Sequence, residues 1–117
     1  MKMKINKVRN LTPHAVTVVS DDGSMTVYQP EPTPARVSAS LRRVGTSEIP
    51  MFEEVYGDVQ DLPDEEFGTI LIVSGLVCSA RPERHDLVHP VGLVRDDEGR
   101  VIGCRGFAPL TVVFDYV

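Results

Sequence analysis

Residues 68–82 read Gly-Thr-Ile-Leu-Ile-Val-Ser-Gly-Leu-Val-Cys-Ser-Ala-Arg-Pro, and the fold turns on how this stretch is parsed. The apolar run Ile70–Val73 is too short for a free-standing helix and too continuous for a strand with one wet face. A strand buried on both sides is the reading that fits. Ser74-Gly75 breaks the run, and Ser74 is a suitable N-cap for a short helix over Gly75–Ala80, which Pro82 must end. The first amides of a helix lack intrahelical partners and carry partial positive charge, which suits an anion. Arg81 and Arg84 follow closely in the chain.

On either side of this unit the chain alternates between β-branched runs and turn signals. His14–Ser20 and Met25–Gln29 flank Asp21-Asp22-Gly23-Ser24, where Gly23 supplies the positive φ of a hairpin turn. Pro30-Glu31-Pro32-Thr33-Pro34 is an extended surface crossing, because proline cannot donate to a ladder. From Ala35 to Arg42 the alternation is unbroken, with Ala35, Val37, Ala39 and Leu41 opposite Arg36, Ser38, Ser40 and Arg42. That pattern predicts a strand with one solvated face. Gly45–Gly68 holds eight acids and no Lys or Arg, and reads as a short strand plus a long acidic loop. A second hairpin joins Gly92–Arg95 to Arg100–Arg105 through Asp96-Asp97-Glu98-Gly99, and Leu110–Val117 reads as a last strand. The expected fold is therefore mainly β (β-rich α+β): a single globular domain over 1–117, a small barrel or sandwich of about six strands with one short helix near 75–80.

The blocks Asn10-Leu-Thr-Pro-His14, Gly68–Ser74, Arg84-His-Asp86-Leu-Val and Val94–Cys104 together resemble small uncharacterised bacteriophage and bacterial proteins that open with Asn-Leu-Thr-Pro-His. The resemblance spans about Val8 to Phe107. It implies only a cytoplasmic, mobile-element origin and brings no catalytic residues with it; phage accessory proteins in general commonly bind a host protein or a small signalling molecule.

Bulk composition narrows the function classes. A net charge of −5 works against non-specific nucleic-acid binding, which depends on Lys and Arg neutralising phosphates. The basic first ten residues lead into no apolar core of a signal peptide, and no apolar run is long enough to span a bilayer. A cytoplasmic protein without membrane contact is expected. Cys78 and Cys104 read as buried thiols of a reducing compartment. His85 and His89 are four apart, but as strand positions they would sit about 13 Å from each other, too far for one metal. No cofactor is expected.

The leading expectation is a non-enzymatic binding protein that holds an anionic, nucleotide-like small molecule at the strand-to-helix turn. Ser74 and Gly75 would supply donors, Arg81 and Arg84 charge, and His14 or Arg105 would close the pocket. The alternative is a protein–protein accessory factor acting through the acidic 48–66 segment or the Arg36–Arg42 strand face. A homo-oligomer is compatible with either reading. Enzymatic activity ranks third, since no pair of residues has a spacing that demands chemistry.

Overall fold

In a computed structural model, residues 2–46, 48–112 and 115–116 are described. Their elements run in the order β1 (Lys2–Met3), β2 (Lys7–Asn10), β3 (Val16–Val19), β4 (Met25–Tyr28), β5 (Ala39–Arg43), β6 (Phe52–Tyr56), β7 (Thr69–Ile72), α1 (Gly75–Ala80), β8 (Leu87–Arg95), β9 (Val101–Ala108) and β10 (Asp115–Tyr116). The chain is β-rich, as its patterning predicts. Six strands form one mixed sheet in the order β2-β7-β8-β9-β3-β4, while β1 pairs with β10 and β5 with β6.

The most buried strand is β7, parallel to β2 on one side and to β8 on the other. All four of its residues are buried. Leu71 and Val73 join Leu11, Ala35, Val77, Cys78 and Leu87 in one core, under α1. Ile70 and Ile72 face the other way, with Met3 and Val88, against Val8, Val16, Tyr28 and Phe107. This second cluster draws side chains from all six strands of the sheet, which requires the sheet to curl around it. The two sheet edges do meet. Asn10 of β2 bridges to Pro30 just beyond β4, and Glu31 N donates to Asn10 O at 2.9 Å. The result is a small, partly closed barrel with α1 packed outside it, and Met3 of β1 and Tyr116 of β10 adding to its inner core.

Both hairpin turns form where glycine permits them, with φ of 86° at Gly23 and 81° at Gly99. Two expectations need correction. The half-buried strand from Ala35 to Arg42 is half right: Ala35 is buried and Val37 packs on the outer core, but every residue of β5 is exposed. In addition, within the expected strand over 110–117, residues 110–112 lie outside any strand and Asp115–Tyr116 form β10, while residues 113, 114 and 117 are outside the described residues.

β5 and β6 instead make an antiparallel ribbon in which Ala39 faces Tyr56, Leu41 faces Glu54 and Arg43 faces Phe52. The ribbon is rooted by Ala35 N, which donates to Leu11 O, and by reciprocal Arg36–Gln60 backbone hydrogen bonds. Val37 and Val59 pack the root against the core. Beyond Ser38 the ladder continues to Val44 N and Met51 O, a reach of roughly 20 Å at strand rise. The molecule measures 53 × 40 × 31 Å with a radius of gyration of 16.6 Å, against about 13 Å for a compact chain of this length. A projecting arm produces that excess.

Candidate functional site

The strand-to-helix turn forms as the sequence predicts. Ser74 has extended backbone, and its hydroxyl accepts from Val77 N at 3.2 Å. Gly75 and Leu76 are exposed, and as first-turn residues their amides reach no helical carbonyl. The neighbouring strand ends alongside: Asn10 pairs with Ile72, and Leu11 N donates to Ile72 O. The loop Leu11–His14 and the Ser74 turn therefore leave the barrel side by side.

The arginines are placed differently from the expected site. Arg81 is the C-cap of α1, about 10 Å along the axis from Ser74 and at the negative end of the helix dipole. Its guanidinium pairs with Glu83. Arg84 grips Asp86 with two hydrogen bonds, at 2.8 and 2.7 Å, and donates a third to Pro63 O at 2.9 Å. Both partners are nearly inaccessible, at 10% and 3% exposure. Its hydrogen bonds to Asp86, reinforced by the nearby charges of Glu65 and Asp64, raise the pKa of Arg84 further above its usual value. This is a fixed internal ion pair that pins the acidic loop to the barrel. Arg105 lies on β9, two strands away from β7, with its stem against Gly92. The charge of Arg81 and Arg84 expected at the turn is thus held elsewhere by Glu83 and Asp86.

The Asn-Leu-Thr-Pro-His motif serves as a clasp. Asn10 is buried. Its amide donates to His14 O and Tyr28 O, both at 2.8 Å, and its carbonyl accepts from Thr12 N at 2.9 Å. One side chain thereby ties β2, the loop after it and the end of β4. His14 contributes its backbone carbonyl, and its side chain is exposed. Next to the clasp, Arg9 and Glu31 form a two-pronged pair at 2.7 Å.

The cysteines are inert. Cys78 is on the buried side of α1, and desolvation pushes its thiol up to about 11, so it is protonated at neutral pH. Cys104 is also buried and free. Among the described residues no three His, Cys, Asp or Glu side chains gather as metal ligands. No described helix is long and apolar enough to cross a membrane.

The arm carries a set of exposed apolar side chains, while at its root Tyr56 reaches Ser79 of α1. Leu41 is 67% exposed, Met51 53%, Phe52 49% and Val55 41%. Its charges are organised across the ladder: Arg42 pairs with Glu53, Arg43 lies 5.8 Å over the Phe52 ring, and Tyr56 Oη donates to Glu54 at 2.9 Å. The sequence offers the Arg36–Arg42 face and the acidic 48–66 segment as two separate surfaces. The ladder brings Ala39–Arg43 of the first and Phe52–Tyr56 of the second together, while the Pro63–Glu65 end of the acidic segment stays beside Arg84 on the body. What sequence reasoning missed is this pairing, although equal apolar and charged content on both sides of Gly45 was the available signal. The chain matches no protein-family model, no curated protein and no solved structure, so the geometry alone carries the functional reading.

Proposed function

We propose that this protein is a non-enzymatic binding module that engages another polypeptide through the β5–β6 arm. The observation carrying this reading is the exposure of Leu41, Met51, Phe52 and Val55 on one ribbon whose root is fastened to a closed, well-packed body. The register sets Leu41 and Phe52 on one face of the ribbon and Val55 on the other, and exposed apolar side chains rimmed by charge mark interaction surfaces. A two-stranded ribbon is only marginally stable alone, so a partner that covers it gains affinity from both side chains and backbone edges.

The catalytic alternatives lack equipment. Cys78 is in the wrong protonation state to attack, and Asp86 is fully engaged by Arg84. The anion-binding alternative retains the exposed Gly75 and Leu76 amides but has lost its arginines to Glu83 and Asp86.

The test is photo-crosslinking from a reactive residue placed at Leu41, with Leu93, equally exposed on the barrel, as control. Discrete adducts to a polypeptide from position 41 and none from position 93 are expected. Equal or absent crosslinking at both positions would overturn the reading.

A further inference from the structure

The two edges of the arm differ in charge, and the difference identifies a partner. Antiparallel ladders alternate between pairs that exchange both hydrogen bonds and pairs that exchange none. Gly57 N donates to Ser38 O, and Val44 N to Met51 O. The bonded pairs therefore fall at 38/57, 40/55, 42/53 and 44/51. The backbone groups of Ala39 and Leu41 on β5, and of Phe52, Glu54 and Tyr56 on β6, point outward. β5 carries Arg42 and Arg43, whereas β6 carries Glu53 and Glu54.

Resting on the protein-binding reading above, we propose that the arm engages a second copy of this chain, with the β5 edge of one molecule pairing antiparallel to the β6 edge of the next. The outward groups on the two edges match in the register the arm already uses internally. Residues 39 and 41 meet 56 and 54, so the intermolecular ladder fills the positions that the internal ladder leaves empty. The same register sets Arg42 against Glu53 of the next copy. A β6–β6 contact would oppose Glu53 and Glu54 to their equivalents, and a β5–β5 contact would crowd four arginines. Exposed edges that avoid self-pairing carry charges that repel a copy; these two edges attract one. Pairing unlike edges is head-to-tail, so the assembly closes as a ring or grows as a filament and does not stop at a two-fold dimer.

The test is light scattering with size-exclusion chromatography on the full chain, from low to high micromolar concentration, at low and high salt. Mass should rise beyond that of a dimer with concentration and fall with salt. Leu41→Pro removes an outward amide that the internal ladder does not use. It should weaken self-association by about tenfold or more with little change in melting temperature. Glu54→Arg, which leaves every backbone donor intact, should do the same and covers the case in which the proline variant misfolds.

A monomer at every concentration, a closed dimer, or assembly indifferent to both substitutions would overturn the proposal. Adducts from position 41 to a different polypeptide, with no self-adduct, would also overturn it while leaving the binding-module reading intact.

Discussion

The barrel seam and the arm are both held by backbone pairing, yet the protein treats them in opposite ways. At the seam, β2 meets the end of β4 through a single bridge, and the closure is secured by a buried asparagine whose polar atoms are all engaged. In the arm, a five-pair ladder stands in solvent with leucine, phenylalanine and valine uncovered. Seam polarity is buried and satisfied, which makes it costly to disturb. The apolar groups of the arm are exposed and cheap to replace within one molecule. A short junction sealed by buried polar contacts is built for permanence, while a long ribbon with open faces is built for use by something else.

The contrast breaks first at the body. Arg84→Ala should be the most damaging substitution, because it leaves the Asp86 carboxylate buried without its partner. A loss of roughly 3–5 kcal/mol is expected from chemical denaturation, and Arg84→Lys should recover only part of it, since lysine cannot make the two-pronged contact. Asn10→Ala comes next. It orphans the carbonyls of His14 and Tyr28, at a cost of about 2–4 kcal/mol. A smaller effect is expected at the Arg9–Glu31 pair, where the hydrogen bonds from Arg9 hold the Glu31 carboxyl below its usual range. A depressed folded-state pKa contributes stability that is present above the unfolded value of 4.5 and is lost as pH falls through the folded one. Glu31→Gln should therefore flatten acid denaturation below about pH 4.5 while costing under about 1 kcal/mol at neutral pH, because both side chains are partly solvated. Smallest of all, Phe52→Ser in the arm should change folding stability by about 0.5 kcal/mol or less, yet abolish crosslinking from position 41. If Phe52→Ser destabilised the fold as much as Asn10→Ala does, the division between body and arm would not hold.

Much of the body was legible because its signals are local. Continuous burial of Ile70–Val73, the Ser74 cap, and the turns at Gly23 and Gly99 each follow from a few neighbouring residues. The arm was legible only in part. Alternation from Ala35 to Arg42 reports which residues share a face, and it cannot report whether anything packs there. Ala35 and Val37 find the core, whereas Ala39 and Leu41 carry the same pattern out into solvent. Closure of the barrel by Asn10, and the pairing of Lys2–Met3 with Asp115–Tyr116, depend on contacts between distant segments, to which periodicity is blind.

The candidate anion site shows the same limit from the chemical side. Ser74 and Gly75 behave as their sequence suggests. The two arginines, close in sequence, are carried to the far end of α1 and into carboxylate pairs by the helix between them. His14 is expected to help close a pocket, whereas its role in the clasp is played by its carbonyl oxygen.

The availability of the arm is tested most directly by hydrogen exchange on dilute protein, followed residue by residue. The amides of Ala39, Leu41 and Glu54 should exchange almost as fast as unstructured chain, while those of β7 and of Leu11 remain protected up to the limit set by global unfolding. Protection of the three arm amides as strong as that of β7 in the dilute monomer would mean that the ribbon is already packed against its own body and has no free edge to offer.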